Sequence, residues 1–352
     1  MTPSPVGPPS AAVHWPEVLA GLLRGEHLTE DRAASVLAAV MRGEAESAHL
    51  AGFLVALRAK GEDAAEIAGF VRAMMAAAAP IDVDGPLLDT CGTGGDGAGT
   101  FNISTVTAIV VAAAGVRVAK HGNRAASGTC GSADLLEAWG LEIELPAPGV
   151  ARTIDELGIG FLYARSFHPA MRHVAPVRAQ LGVRTVFNIL GPLSNPAGAT
   201  HQVVGVSDAR LAPVMAEALA RLGKRALVFR GDDGLDELTT TGPSLLWDVR
   251  DGEVRSSVVD PGALGVPRAE LADLQGGTIA DNVAIADAVL GGEAGPKSDI
   301  VALNAAAALY AADRVQDLAH GLERAREVLV SGAALELKDR WVARTRELAA
   351  ER

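Results

Sequence analysis

The chain of 352 residues has few cysteines, few aromatic residues and a deficit of positive charge. Two cysteines cannot form a disulfide scaffold at this length, so a reducing compartment and a cytoplasmic location are expected. Aromatic residues make up 4% of the chain, too few for a stacking platform that binds single strands. The net charge is −12, whereas a general nucleic-acid binder carries broad positive charge. We therefore expect no nucleic-acid partner.

Long apolar runs are also missing, so we expect no membrane partner. Residues 103–114 are apolar but too few to cross a bilayer. The first ten residues contain four prolines and have neither the basic nor the apolar region of a signal peptide. This composition predicts a disordered tail over residues 1–14.

Apolar residues, at 49%, are ample for a core, and their spacing divides the chain in two. Residues 15–79 repeat apolar positions at helical spacing, and the Pro- and Gly-containing run 80–86 marks a boundary. Beyond it, short β-branched runs alternate with helices, which predicts a mainly parallel sheet flanked by helices. Strands are predicted at 87–90, 116–119, 161–163, 201–206 and 226–229, with a hairpin within 244–259 and helices from 281 onward. The fold class is α/β, with a small all-helical domain and a larger α/β domain.

A glycine-rich turn follows the first predicted strand. Residues 92–97 match the G-x-G-x-x-G pattern of dinucleotide-binding folds, which need an acidic residue about twenty positions later. Residues 98–133 contain no Asp or Glu and carry Arg117 and Lys120 instead. The dinucleotide interpretation therefore fails, but glycines followed by the polar helix start Asn102, Ser104 and Thr105 still suit a phosphate group.

Three further segments complete the candidate site. Lys120 to Arg124 form a second basic, glycine-containing loop after a strand, and two such units in succession indicate a polyphosphate cradle. The acidic run that contains Asp236 and Glu237 offers the hard oxygen ligands that Mg²⁺ prefers. Arg178 lies on a predicted helix. It either faces solvent or takes part in a surface ion pair, or it clamps a substrate carboxylate. Spacing alone does not decide between these roles.

Taken in order, six motifs resemble those of the anthranilate phosphoribosyltransferase family. They are Cys-Gly-Thr-Gly-Gly-Asp at 91–96, Phe-Asn-Ile-Ser-Thr at 101–105, Lys-His-Gly-Asn-Arg at 120–124, His-Pro-Ala-Met at 168–171, Arg-Thr-Val-Phe-Asn-Ile-Leu-Gly-Pro-Leu-Ser-Asn-Pro at 184–196 and Leu-Asp-Glu-Leu at 235–238. The resemblance extends from Trp15 to the C-terminus, and an ordered set is far more specific than any single motif.

The resemblance implies a domain organisation and an assembly. The helical domain would comprise residues 15–83 together with about 166–185, and the large domain would comprise 84–165 and 186–352. A homodimer would form through the helical domain.

The implied reaction joins anthranilate to 5-phosphoribosyl 1-diphosphate (PRPP) and releases pyrophosphate. PRPP would contact Gly92, Gly95, Asp96, Thr100, Asn102, Ile103, Ser104, Thr105, Lys120, His121, Gly122, Asn123, Arg124, Ala125, Ala126, Ser127, Gly128 and Ser132. Anthranilate would contact Gly92, Asn123 and Arg178, and the anthranilate carboxylate would pair with Arg178. Two Mg²⁺ ions per chain would be held by Ser104, Asp236 and Glu237. No general base is required, although His121 is a candidate proton acceptor, and His168 would shape the anthranilate channel.

One departure and two alternatives accompany this interpretation. Many relatives have Lys-Ser-Gly-Ser or a similar run where this chain has Thr129-Cys130-Gly131-Ser132, which would weaken one phosphate contact without changing the reaction class. A pyrimidine nucleoside phosphorylase shares the architecture and a basic phosphate loop, but no acidic Mg²⁺ pair is expected there. Nucleic-acid-binding relatives of the fold should be basic and lack the pair Asp236-Glu237.

Overall fold

The computed structural model describes residues 12–125 and 129–351, so most of the predicted tail at 1–14 lies outside the described residues. The predicted helical segment is confirmed as four helices. They are α1 (Trp15–Leu23), α2 (Glu30–Met41), α3 (Ser47–Lys60) and α4 (Ala64–Ala76). Their apolar faces enclose a core centred on Phe53 and Phe70, whose rings meet edge-on at 5.9 Å.

Short sequence signals set the ends of these helices. Gly61 ends α3 with a φ of 91°, a conformation that glycine adopts without steric cost. Asp63 and Glu66 then form a capping box at the start of α4. The Glu66 carboxylate is fully buried, and it accepts the Leu28 N–H at 2.9 Å and the Lys60 Nζ at 2.8 Å. One carboxylate thus fastens the loop before α2 to the junction of α3 and α4.

The larger part is an α/β layer structure. Its strands are β1 (Leu88–Gly92), β2 (Val118–Gly122), β3 (Ile159–Tyr163), β4 (His201–Gly205), β5 (Arg225–Gly231), β6 (Ser244–Arg250) and β7 (Glu253–Val259). Its helices are α5 (Ile103–Ala113), α6 (Ser132–Ala138), α7 (Ala147–Leu157), α8 (Ala164–Phe167), α9 (Ala175–Leu181), α10 (Phe187–Leu193), α11 (Leu211–Arg221), α12 (Ile279–Leu290), α13 (Pro296–Ala311), α14 (Leu318–Val330) and α15 (Ala333–Ala350).

The strand order defines where a ligand can bind. The seven strands are ordered β3-β2-β1-β4-β5-β6-β7, with β1 to β5 parallel and β6 and β7 forming the predicted antiparallel hairpin. The chain winds outward from β1 in one direction through β2 and in the other through β4. In open α/β sheets, ligands bind at the carboxyl ends of the strands where the winding reverses. That crevice lies between the ends of β1 and β4.

Helices cover both faces of the sheet. Helices α5 and α13 pack on one face, and α11 packs on the other near β5 and β6. The helical bundle adjoins the second face, because its core continues into Val204 and Val206 at the end of β4. Helix α9 packs against α3, with Val174 and Val177 buried in the bundle core. The segment 166–185 thus contacts the bundle, while the exact domain boundaries stay a prediction.

The predicted fold class is confirmed, with small shifts at the element ends. The first strand was predicted over 87–90 and instead runs to Gly92, because β4 pairs with it through Gly205. In the part of the chain that is described, no helix is long and apolar enough to cross a membrane.

Gly69 provides a test of the bundle packing. A Cβ at Gly69 of α4 would overlap the Glu30 carbonyl oxygen and lie 2.9 Å from the Ala33 Cβ, so Gly69→Ala should destabilise the protein by about 2 kcal/mol. Gly52→Ala in α3 is the control, since its Cβ would meet only Leu19 at 3.4 Å. There the gain in helix propensity predicts no loss of stability. Thermal melting of both variants should separate them, and equal melting temperatures would contradict this packing.

Candidate active site

A glycine-rich loop leaves β1 at the crevice. Gly94, Gly95, Gly97 and Gly99 have φ values between 64° and 77°, which lets the backbone turn sharply and present its N–H groups. The Thr93 N–H donates to the Gly205 carbonyl oxygen at 2.9 Å, which fixes the start of the loop to the end of β4. The Asp96 carboxylate accepts the Ala98 N–H at 3.0 Å and turns the chain back toward α5.

The predicted acidic pair lies directly beside this loop. The Asp236 carboxylate accepts the Gly94 N–H at 2.6 Å. A Cβ at Gly92 would overlap that carboxylate, and a Cβ at Gly205 would overlap the Asp236 carbonyl group. The acidic turn can therefore approach both strand ends only because both residues are glycine. The neighbouring Glu237 carboxylate lies near the Ser104 backbone at the start of α5, which opposes the rise in its pKa.

Two polar side chains hold the acidic turn in place, the buried Asn304 and the exposed Asp233. The Asn304 side chain of α13 accepts the Leu238 N–H and donates to the Leu238 carbonyl oxygen, each at 2.9 Å. The Asp233 carboxylate accepts the hydroxyls of Thr239 and Thr241, each at 2.6 Å. Sequence reasoning missed Asn304, because it lies 66 residues from its partner within an apolar helix.

The acidic turn carries more negative charge than its surroundings compensate. Burial, and then the nearby Asp96, raise the pKa of Asp236 to about 7. Burial, and then Asp236, raise the pKa of Glu237 well above its usual value. Among the described residues, no group of three or more His, Cys, Asp or Glu forms a ready metal centre. Two recessed carboxylates still fit Mg²⁺, which binds proteins through one or two carboxylates and takes its other ligands from phosphate and water.

Lys120 supplies the positive charge beneath the loops. Its side chain is buried, and Nζ donates to the Thr90 carbonyl oxygen at 2.7 Å and lies 3.5 Å from the Ser104 Oγ. Burial lowers the pKa of Lys120, while the carboxylate of Asp89 opposes this shift. Asp89 is itself fully buried and accepts the His121 N–H at 3.1 Å. The pair anchors the second loop to the first strand.

The second loop is folded onto the start of α6. The Asp134 carboxylate accepts the N–H groups of Ala125 at 2.9 Å and Gly131 at 2.8 Å. The Arg124 guanidinium pairs with Asp134 at 3.2 Å and with Glu137 at 2.6 Å. Its predicted contact with PRPP stays a prediction, since here the side chain is directed at α6. The predicted residues Ala126, Ser127 and Gly128 lie outside the described residues.

The remaining predicted PRPP residues surround these loops. Asn102 precedes α5 and donates to the Cys130 carbonyl oxygen at 3.0 Å. Ser132 Oγ donates to the Asn123 carbonyl oxygen at 3.2 Å and fills the space over Gly122. Thr100 forms a backbone bridge with Gln275. Ile103 and Thr105 are buried, so they can meet a ligand only through their backbone.

Burial disfavours the charged form of both histidines of the site. His121 Nδ1 lies 3.1 Å from the Gly191 carbonyl oxygen, and the His168 ring lies 5.1 Å away. Burial, and then His168, lower the pKa of His121 to about 3. The hypothesis that His121 accepts a proton stays a prediction, and so low a pKa makes its ring a weak base. His168 Nε2 bonds the Ser194 carbonyl oxygen at 3.0 Å, which fixes its ring beside that of His121.

Arg178 is a half-buried cation that lacks a counter-ion. Its Nη2 donates to the Asn188 Oδ1 at 3.4 Å, and its guanidinium lies 5.7 Å from the Phe187 ring centre. Burial lowers the pKa of Arg178. Within residues 12–125 and 129–351, no acidic side chain pairs with it. Of the two roles left open by the sequence, the surface ion pair is therefore not observed.

Known proteins resemble this chain over most of its length. The descriptions "Glycosyl transferase family, helical bundle domain" and "Glycosyl transferase family, a/b domain" match residues 16–78 and 84–335. Anthranilate phosphoribosyltransferase of Roseiflexus sp. (strain RS-1) is 56% identical over 91% of this chain and 95% of its own length. The chain belongs to the anthranilate phosphoribosyltransferase family.

Solved structures of the anthranilate phosphoribosyltransferase family have the same fold as this chain. The Thermus thermophilus enzyme superposes with a TM-score of 0.89 at 52% identity, over 94% of this chain and 99% of its own. The Saccharomyces cerevisiae enzyme in complex with PRPP and Mg has a TM-score of 0.87 at 27% identity, over 95% and 98% of the two chains. The same yeast enzyme in complex with 4-fluoroanthranilate has a TM-score of 0.84 at 26% identity, over the same shares of the two chains.

The raised pKa of Asp236 makes a prediction for the metal-free protein of this family. The folded protein holds the Asp236 proton more tightly than the unfolded chain, where the pKa is 3.8. Stability should therefore fall as pH rises from about 4 to about 7, and remain lower above that. Asp236→Asn removes this loss.

In EDTA, the melting temperature of Asp236→Asn relative to the wild type should rise by several degrees between pH 5 and pH 8. Asp232→Asn, which changes an exposed carboxylate of the same turn, is the control and should show no such trend. A constant difference for both variants would show that Asp236 is not a strained buried charge.

Proposed function

We propose that this protein transfers the phosphoribosyl group of PRPP to the amine of anthranilate, with Mg²⁺, and releases pyrophosphate. The observation that carries the proposal is the contact of the acidic turn with the glycine-rich loop, in which Gly94 donates to Asp236 at 2.6 Å. It places carboxylates for a cation next to backbone donors for a diphosphate. A phosphorylase that takes inorganic phosphate needs no such acidic pair.

PRPP would occupy the crevice between the ends of β1 and β4. The N–H groups of the glycine-rich loop and the positive end of the α5 helix dipole would face its phosphates. Lys120, 3.5 Å from Ser104 Oγ, would add a positive charge below them. These groups stabilise a leaving pyrophosphate because they are already oriented before the reaction.

Asp236, Glu237 and Ser104 would hold the Mg²⁺ ions, of which we propose two per chain. Bound there, the metal supplies positive charge that neutralises the diphosphate. The yeast relative in complex with PRPP and Mg supports this assignment. The raised pKa values of Asp236 and Glu237 add to it, because a bound cation would relieve their mutual repulsion.

Anthranilate would bind near Arg178, Asn123 and Gly92. The Arg178 guanidinium, 5.7 Å from the Phe187 ring centre, would pair with the anthranilate carboxylate in a fork. The aniline nitrogen then attacks C1 of the ribose: the N–C1 bond forms while the C1–O bond to pyrophosphate breaks. The nitrogen's surplus proton leaves afterwards to solvent, since the neutral amine is already a nucleophile.

We also propose a homodimer through the helical domain, in the cytoplasm. Leu23 of α1 is 77% exposed and Val55 of α3 is 48% exposed, and these two helices pack together. Apolar side chains on adjacent helices suit contact with a second copy. Both cysteines are free thiols, as a reducing compartment would maintain.

The proposed reaction is tested by following anthranilate fluorescence with PRPP and Mg²⁺, omitting one component at a time. The signal should be lost only in the complete mixture, and pyrophosphate should appear in equal amount. A folded protein that consumes thymidine with inorganic phosphate, and leaves anthranilate unchanged, would contradict the proposal.

Arg178→Ala tests the acceptor site. Loss of a charged hydrogen-bonding group should raise the KM for anthranilate roughly 10- to 100-fold, as expected for ~1.5–3 kcal/mol. The KM for PRPP should change far less. Arg178→Lys keeps the charge without the planar fork, so its KM for anthranilate should lie between those of the wild type and Arg178→Ala. If both substrates were affected equally, the carboxylate role would be wrong.

A further inference from the structure

Arg184 lies across the glycine-rich loop. Its Nη1 donates to the Gly94 carbonyl oxygen at 2.9 Å and its Nη2 to the Thr93 carbonyl oxygen at 3.3 Å. A Cβ at Gly95 would overlap the guanidinium, so the side chain rests on the bare backbone of that glycine. Gly94 is thus held at both ends, with its N–H on Asp236 and its carbonyl on Arg184.

Arg184 also belongs to the segment that carries the acceptor site. The next residue, Thr185, donates its N–H to the Asn188 Oδ1 at 2.9 Å. The same oxygen accepts the Arg178 Nη2 at 3.4 Å. A continuous chain of hydrogen bonds and short backbone therefore runs from Arg178 through Asn188 and Arg184 to the loop.

We propose that Arg184 is a positioning residue that holds the diphosphate loop and the anthranilate clamp as one unit. The proposal rests on the substrate assignment above and assigns Arg184 a role that the motifs did not. With both carbonyls turned toward the guanidinium, the loop N–H groups keep one orientation, toward Asp236 and the crevice. An unrestrained loop of four glycines in left-handed conformations would lose that orientation, because glycine has the greatest backbone freedom.

Arg184→Ala is the direct test. It should raise the KM for PRPP about tenfold, the factor that corresponds to ~1.4 kcal/mol, with a smaller change in the KM for anthranilate. Arg184→Lys can reach one carbonyl but not both, and should restore part of the loss. Arg221→Ala, at an exposed arginine of α11, is the control and should match the wild type in both constants. Unchanged PRPP binding in Arg184→Ala, alongside an active wild type, would overturn the proposal and leave the reaction itself standing.

Asn188→Ala tests the link, because Asn188 bonds to Thr185 and Arg178 and to no loop residue. In the wild-type background it should raise the KM for PRPP as well as that for anthranilate. In the Arg184→Ala background, Asn188→Ala should raise only the KM for anthranilate, since the connection to the loop is already broken. Additive effects on the KM for PRPP would contradict the link. A wild type without transferase activity would instead reject the proposed function.

If Arg184→Ala melts well below the wild type, Ser207→Ala provides the comparison. Ser207 Oγ donates to the same Gly94 carbonyl at 2.9 Å but has no bond to the Arg178 segment. Ser207→Ala should alter the KM for PRPP. In the Ser207→Ala background, Asn188→Ala should still raise that KM. Loss of that response in Ser207→Ala would show that the loop, and not Arg184, couples the two sites.

Discussion

The site depends on the close approach of the Asp236 turn to the ends of β1 and β4. The turn lies so close that neither Gly92 nor Gly205 could carry a side chain. The Asp236 carboxylate accepts the N–H of Gly94. This contact brings two recessed carboxylates next to a loop of backbone donors. Since a carboxylate pair and a phosphate group repel each other, the proposed site requires a cation between them.

The remaining structure serves to hold this arrangement. The parallel sheet reverses its winding between β1 and β4 and so opens the crevice. Asn304 reaches from α13 to fix the backbone after Glu237, and Lys120 and Asp89 anchor the second loop from below. The bundle face supplies Arg178 through α9, which packs on α3. In the proposed complex, Arg178 would thus approach anthranilate from the bundle side.

Much of the fold could be predicted from local patterns. Helical spacing located α1 to α4, β-branched runs located the strands, and Asp251-Gly252 located the hairpin. The end of β1 was placed too early, because Cys91 and Gly92 join the strand only through pairing with β4. Such pairing depends on residues more than a hundred positions away, which no local pattern reports.

The site was predicted less completely, for the same reason. Motif order singled out Asp236, Glu237, Lys120 and Arg178 as candidates, and their roles stay a prediction. Asn304 and Arg184 were missed as site residues because their roles arise from contacts formed only in the folded chain.

Calorimetric titration with inorganic pyrophosphate, in Mg²⁺ and then in EDTA, tests the central claim most directly. If the acidic turn and the glycine-rich loop form one metal–diphosphate site, pyrophosphate should bind in Mg²⁺ and lose most of its affinity in EDTA, where the carboxylates repel it. Equal affinity in both solutions would show that the loops bind the diphosphate without a cation, and that the carboxylate pair has another purpose.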